Sequence, residues 1–120
     1  LHLPVQSGDN EILKKMGRRH RREDYLELVD EIKEAVPEIE LGSDFIVGFP
    51  GETEEQFLNT VDLVKRVGFN VAFISIFSSR EGTASQRMYK DDVSRMEKHR
   101  RHAYLTKVWQ ETKKKIKVKV

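Results

Sequence analysis

Short apolar runs alternate with longer amphipathic segments along this chain. The runs at residues 1–5, 39–47 and 71–77 have the length and apolar content of buried strands. Strands that alternate with helices pair in parallel through right-handed crossovers. The pattern therefore predicts an α/β fold in the order β-α-β-α-β-α.

The first two helices are indicated by their caps and their periodicity. Asp9 is placed to cap a short helix at residues 10–16. From Glu23 onward the apolar residues recur about every 3.6 positions, until Pro37 stops the pattern. We therefore expect a short helix, a connection and then a long amphipathic helix.

Two further helices follow the second apolar run. Thr53 and Gln56 have capping-box spacing, and Gly68 stands where a residue with positive φ commonly ends a helix. Ser94 and Glu97 repeat the capping spacing before a last long helix. Each predicted strand is thus followed by at least one predicted helix.

The two ends of the chain suggest that it is a piece of a longer protein. Residue 1 is leucine rather than methionine, and residues 116–120 alternate with period two, which is typical of the start of an edge strand. Three parallel strands are too few to close a barrel or to cover both faces of an open sheet. We therefore expect either more chain or self-association through exposed strand edges.

Composition narrows the class of protein. The chain has 120 residues, which is room for one domain. A charged fraction of 35% and a mean hydropathy of −0.62 argue against a membrane span. Because there is no cysteine, no disulfide, thiolate metal site or cysteine nucleophile is available, and a cytoplasmic setting is the default. The net charge is only +2, but positive residues cluster at 14–22, 98–102 and 113–119.

Polar, glycine-bearing segments follow all three predicted strands, at residues 6–9, 48–53 and 78–83. Because the carboxyl ends of parallel strands meet at one edge, we expect these segments to form a shared ligand-binding rim. Gly48 and Gly51 would let the backbone approach a ligand, and free amides before the third helix would favour a carboxylate or phosphate. The alternative is a set of ordinary βα turns with nothing bound.

Two polar residues, His2 and Asp44, lie inside apolar strands, where an unpaired charge costs several kcal/mol. They either pair with each other across neighbouring strands, or Asp44 meets an amino or hydroxyl group of a ligand. No histidine cluster has metal-ligand spacing. His99 and His102 form the only close pair, and their basic surroundings predict a solvated helix surface.

The basic loop at residues 18–22 has two interpretations. It is either an ordinary charged connection between helices or a group of guanidinium side chains that binds phosphates. The lysine-rich segment 113–119 is equally ambiguous. Because no aromatic residues are interleaved with these lysines, it favours contacts with a charged backbone over base stacking.

Three segments in this order resemble successive motifs of the radical S-adenosylmethionine (SAM) methylthiotransferases, closest to the tRNA-modifying MiaB type. They are LHLPVQSG at residues 1–8, DFIVGFPGET at 44–53 and FSSREGT at 77–83. The resemblance extends to about Glu111. It implies the later part of a radical SAM partial (β/α) barrel at residues 1–112, with 113–120 leading toward an RNA-binding module of the TRAM type.

The resemblance also implies where ligands would bind. The residues that the resemblance implies as contacts with SAM are Gln6, Ser7, Gly8, Asp44, Gly48, Phe49, Pro50, Gly51 and Glu52. Its expected contacts with the tRNA substrate are Arg18, Arg19, Arg80 and Thr83.

Enzymes of this family use SAM and 4Fe-4S clusters to add a methylthio group to C2 of N6-isopentenyladenosine next to the anticodon. This chain has no cysteine, so the cluster ligands would lie outside it and the isolated chain is expected to be inactive. Arg21 replaces a usual threonine cap, and Glu81 and Ala84 replace usual prolines. Two alternatives are a fragment of a ribosomal-protein methylthiotransferase and a noncatalytic tRNA-binding βα module.

Overall fold

A computed structural model describes residues 1–78 and 92–118, with side chains described through residue 115. Its elements are α1 (Asn10–Lys15), α2 (Arg22–Ala35), β1 (Gly42–Val47), α3 (Glu54–Val67), β2 (Val71–Ile76) and α4 (Arg95–Val118). The predicted alternation of strands and helices is therefore confirmed as a mixed α/β fold. Two site predictions, Arg80 and Thr83, lie outside the described residues.

The two regular strands, β1 and β2, pair in parallel, with Gly42 opposite Val71 and Val47 opposite Ile76. The third predicted strand, at residues 1–5, is not a regular strand in the described part of the chain. It reaches β1 only through isolated bridges, from His2 to Gly42 and from Gln6 to Phe45.

The first segment departs from a regular strand at three consecutive residues. Pro4 has no amide to donate to a ladder. The amide of Val5 donates to the Ser43 hydroxyl oxygen at 3.1 Å instead of to a backbone carbonyl. Gln6 then takes a left-handed conformation with φ of 73°. The segment is held against β1, but its ladder is interrupted.

The predicted helix caps are confirmed. Asp9 accepts hydrogen bonds from the amides of Glu11 and Ile12 at the start of α1. Thr53 and Gln56 form a reciprocal capping box at α3, and the Ser94 hydroxyl accepts from the Glu97 amide at α4. These caps fix where each helix leaves its preceding loop.

One face of the sheet is covered by α2, α3 and α4. Phe45 on β1 is fully buried and packs edge-on against Phe69, with ring centroids 5.4 Å apart. Trp109 on α4 donates its indole N–H to the Phe69 carbonyl oxygen at 3.0 Å. The core therefore ties α4 to the loop that precedes β2.

The other face of the sheet is open in the described part of the chain. Asp44 and Ile46 on β1 are half-buried, whereas Val71, Phe73 and Ser75 on β2 are exposed. Alternate residues of the same strands thus face two different environments, as the pleat requires.

The carboxyl-terminal prediction of an edge strand is wrong at least through Val118, because α4 continues to that residue. Adding residues to an existing helix costs little once it is nucleated, and lysine is a good helix former. The predicted boundary between residues 112 and 113 therefore falls inside a helix. None of the helices within residues 1–78 and 92–118 is long and apolar enough to cross a membrane.

Candidate functional site

The carboxyl ends of the first segment, β1 and β2 lie side by side. The amide of Ile46 donates to the Gln6 carbonyl oxygen at 3.0 Å, and the amide of Phe77 donates to the Val47 carbonyl oxygen at 2.8 Å. We call this edge, comprising Gln6, residues 48–52 and residues 77–78, the rim. The predicted convergence of the three segments is confirmed as far as Ser78.

A groove of about 510 Å³ runs from the rim onto the open face of the sheet. It is lined by Gln6, Asp44, Phe45, Ile46, Ser75, Ile76, Phe77 and Ser78. At Gln6 the positive φ turns the backbone away from the path of the preceding segment. The groove therefore combines a carboxylate, an amide and hydroxyl groups with apolar walls.

Among the described residues that line this groove, Asp44 is the charged one. Its Oδ2 lies 3.2 Å from His2 Nε2, which confirms the predicted pairing across neighbouring strands. The Asp44 side chain nevertheless stays 41% exposed. Because one face of the carboxylate is accessible, Asp44 can accept a further hydrogen bond from a ligand.

Ser7 and Gly8 lie behind the groove, against α3. Ser7 is fully buried, and its hydroxyl lies 3.3 Å from that of Thr60. The Gly8 amide donates to the Thr60 hydroxyl oxygen at 2.9 Å, and a Cβ on Gly8 would lie 2.6 Å from the Asn59 carbonyl oxygen. In this arrangement the two residues dock the first segment onto α3 and do not line the groove.

The loop at residues 48–52 is closed by its own hydrogen bonds. The Gly48 amide donates to Glu52 Oε1 at 2.9 Å, and the Gly51 amide donates to Asp92 Oδ1 at 2.7 Å. The Glu52 amide donates to the Phe49 carbonyl oxygen. The amides of Gly48, Gly51 and Glu52 are therefore already hydrogen-bonded, contrary to the expectation that the amides of this loop are free.

Two of the expected cofactor contacts in this loop, Phe49 and Pro50, are buried. The Phe49 ring packs edge-on against that of Phe77, with centroids 5.1 Å apart. The Phe49 and Phe77 rings therefore pack beneath the rim. Gly51 is half-buried and Glu52 is buried, so this part of the loop faces the protein more than solvent.

A buried ion pair anchors the loop to α4. Arg101 Nη1 lies 3.0 Å from Glu52 Oε1, and the side chains are only 6% and 1% exposed. Arg101 also donates to the Glu52 carbonyl oxygen and to Glu97. Burial raises the pKa of Glu52, while the Gly48 amide and Arg101 act in the opposite direction.

Arg101 could not be singled out from the sequence. The chain has 22 lysine and arginine residues, and nothing in their spacing marks the one that pairs with Glu52. The same holds for Lys98, which is buried and donates to the Phe77 carbonyl oxygen at 3.2 Å. His102, predicted on a solvated surface, is half-buried instead and its Nε2 lies 2.9 Å from the Ile74 carbonyl oxygen.

Gly48 is required by close packing as well as by its φ of 74°. A Cβ at this position would lie 2.4 Å from Cγ of Lys98. Lys98 crosses directly beside the loop, and its ammonium group lies 5.4 Å from the centroid of the Phe77 ring. The loop, β2 and α4 are therefore packed together at the rim.

In the basic loop, some arginine side chains are exposed, and one is packed into the fold. Arg18 and Arg19 are exposed and line a second groove of about 340 Å³. Arg22 is instead built into the fold, because it donates to the carbonyl oxygens of Gly8 and Asn59 and pairs with Asp62 at 2.8 Å. No cluster of metal-binding side chains occurs within the described ranges.

A family model described as the Radical SAM superfamily matches residues 1–64, which is more than half of the chain. The chain belongs to the radical SAM superfamily. The predicted family resemblance is thereby confirmed at this level, and the matched residues include the first segment, β1 and most of α3.

Curated relatives extend the similarity along nearly the whole chain. A tRNA-2-methylthio-N(6)-dimethylallyladenosine synthase of Thermosipho melanesiensis is 47% identical over 97% of this chain. Proteins of the same name from Thermoanaerobacter sp. strain X514 and Oceanobacillus iheyensis are 52% and 59% identical over 84% and 78% of it. The chain spans 27%, 21% and 18% of the lengths of these three relatives.

Proposed function

We propose that this chain forms the SAM-binding side of a tRNA methylthiotransferase that modifies C2 of N6-isopentenyladenosine next to the anticodon. The observation that carries the proposal is the 47% identity to a synthase of that name over 97% of the chain. The open groove at the rim is consistent with it, because the carboxyl ends of parallel strands are where ligands bind in such folds.

The residues of the groove fit SAM. Its volume of about 510 Å³ lies within the range of small-molecule sites. Asp44 offers a carboxylate for an ammonium or ribose hydroxyl group, and Gln6 offers an amide that both donates and accepts. Ile46 and Phe77 supply apolar surface for the adenine ring. SAM held by these residues would supply the radical chemistry that is characteristic of this family.

The cluster itself does not fit this chain. A 4Fe-4S cluster is held by cysteine thiolates, and none of the 120 residues is cysteine. We therefore assign cluster binding to other parts of the protein that contains this chain. The residues here bind and orient SAM and the RNA, and the isolated chain is expected to be inactive.

The nine SAM-site residues expected from the family resemblance divide into two roles in this proposal. Gln6 and Asp44 line the groove and contact SAM directly. The other seven support that contact by fixing the backbone at the rim: Ser7, Gly8, Gly48, Phe49, Pro50, Gly51 and Glu52. For Arg80 and Thr83, contact with tRNA stays a prediction from the family resemblance.

The same proposal implies a fold for the complete protein and a cellular location. The parallel α/β unit would be the later part of a partial (β/α) barrel. A tRNA-modifying enzyme of this kind would act in the cytoplasm. Self-association of the isolated chain through exposed strand edges stays a prediction, and light scattering at high concentration tests it.

The direct test is a product assay on the complete protein that contains this chain. The protein, with its clusters reconstituted, is incubated with SAM, a reductant, a sulfur source and tRNA that carries N6-isopentenyladenosine. Mass spectrometry of the digested nucleosides should detect the 2-methylthio product.

Three results would redirect the proposal. Modification of a ribosomal protein without modification of tRNA would identify the sibling class of methylthiotransferase. Tight tRNA binding without any product, in a protein with intact clusters, would favour the noncatalytic module. Absence of both product and SAM binding would contradict the assignment of the groove.

A further inference from the structure

We propose that the groove between α1 and α2 binds the phosphodiester backbone of an RNA. It is lined by Asn10, Glu11, Lys14, Arg18, Arg19, His20 and Arg21. The identity of that RNA as tRNA rests on the proposed function, but the preference for phosphates rests on the groove itself. We call this surface the basic groove.

The first support is charge. Four permanent cations line the basic groove against the single carboxylate of Glu11. Lys14, Arg18 and Arg19 are exposed and form no ion pair with any residue of the described ranges. Arg21 has only a long contact of 3.7 Å with Glu23, and both side chains are mostly exposed. A positively charged surface of this kind attracts polyanions, and their binding releases the counterions bound to them.

Other exposed arginines of the molecule are arranged differently. Arg66 lies 2.8 Å from Asp62, and Arg100 contacts both Glu54 and Glu97 at 2.5 Å. Those cations are already partly neutralised by neighbouring carboxylates. The arginines of the basic groove keep their charge available for a ligand.

The backbone that carries these cations is fixed at both ends. Gly17 has a φ of 79° and ends α1, and the amide of Arg18 donates to the Leu13 carbonyl oxygen at 2.9 Å. At the other end the Arg22 amide donates to Asn10 Oδ1 at 2.7 Å. A loop held in this way needs little ordering of its backbone on binding.

The basic groove also lies close to the rim. Lys14 lines the groove, whereas the next residue, Lys15, reaches the rim: its Nζ would lie 2.7 Å from a Cβ on Gly51. The six residues of α1 rise only about 9 Å. An RNA backbone bound in the basic groove could therefore place a neighbouring nucleotide at the rim.

The chemistry favours phosphates over bases. Apart from His20, no aromatic side chain of the described residues lines the basic groove, so the groove offers little surface for base stacking. Guanidinium groups donate bidentate hydrogen bonds to phosphate oxygens. We therefore expect contacts that strengthen binding without reading sequence.

The test compares Arg18→Gln/Arg19→Gln with Lys65→Gln/Lys107→Gln in the complete protein. Both pairs remove two exposed positive charges, but Lys65 and Lys107 lie outside the basic groove. The tRNA dissociation constant is measured across a series of KCl concentrations. Each lost phosphate contact reduces the slope of log affinity against log salt by about 0.7–0.9.

The groove variant should therefore reduce the slope by about 1.4–1.8, while the control pair leaves it near wild type. SAM affinity should be unchanged in both variants. Equal slopes for the two variants would overturn the inference, even if the wild-type protein modifies tRNA. A groove variant that loses binding to a ribosomal protein but not to tRNA would also overturn it. Failure of the wild-type protein to modify tRNA would instead contradict the proposed function.

Discussion

The two faces of the β1–β2 sheet are built from alternate residues of the same strands, yet they are used differently. On the covered face, Phe45 and Val47 are fully buried against helices. On the open face, Asp44 is 41% exposed and Phe73 is 60% exposed. The covered face holds the fold together, and the open face leaves polar and apolar groups accessible beside the rim.

This difference separates stability from binding. Substitutions on the covered face remove packed apolar surface, so they should reduce the free energy of unfolding. Substitutions on the open face remove groups that solvent already reaches, so they should change ligand affinity with little effect on stability. The loop at residues 48–52 belongs to the covered side, although it follows β1 at the rim.

The largest expected effect is that of Phe45→Ala. Loss of this buried ring should reduce the free energy of unfolding by about 3–5 kcal/mol. Phe73→Ala removes the same ring from the opposite face and should cost less than about 1 kcal/mol. Trp109, the single tryptophan of the chain, reports on the core and allows both to be compared by urea denaturation. Similar losses for the two variants would mean that the faces do not differ as described.

The next effect concerns the ion pair that anchors the rim loop. Arg101→Met leaves the buried Glu52 carboxylate without its main cation and should cost about 3 kcal/mol. The double variant Glu52→Gln/Arg101→Met removes both charges and should recover part of that loss. A double-mutant cycle in urea gives the coupling between the two side chains.

Arg100→Met is the matched control, because Arg100 adjoins Arg101 on α4 but its side chain is 47% exposed. Its loss should cost at most about 1 kcal/mol. If Arg101→Met were as mild as this control, the loop would not depend on the ion pair.

Much of the fold could be predicted from the sequence because its signals are local. The caps at Asp9 and Thr53 and the helix end at Gly68 depend on residues a few positions apart, and all three are confirmed. The interrupted first strand was harder to predict. It depends on the Ser43 hydroxyl accepting the Val5 amide across 38 positions of sequence.

The candidate site could be predicted only in part, for a similar reason. Strand order and parallel pairing were sufficient to predict a common rim. They could not predict that Glu52 would accept the Gly48 amide, nor that Arg101 would be buried beside it. On α4, the apolar Met96 is 84% exposed, while the charged Lys98 is buried. Burial of a charge depends on partners that are distant in sequence.

A smaller effect is expected from pH. Hydrogen bonds from Arg100, with a further one from Arg101, lower the pKa of Glu97 from 4.5 to about 2. The folded state therefore holds this proton less tightly than the unfolded state. The resulting stabilisation is present above pH 4.5 and is lost as the pH falls toward 2.

Glu97→Gln should remove this part of the acid dependence. Urea midpoints measured between pH 5 and pH 2 should fall less steeply in the variant than in the wild-type chain. Parallel curves for the two proteins would show that Glu97 does not gain its partners on folding.

The central claim is that the open face binds SAM through Asp44, and isothermal titration of SAM into the complete, cluster-loaded protein tests it. Asp44→Ala should weaken SAM binding by about tenfold or more, which corresponds to about 1.4 kcal/mol or above. Asp30→Ala, an exposed aspartate on α2, is the matched control and should bind as the wild type does. Wild-type affinity in the Asp44→Ala protein would contradict the claim.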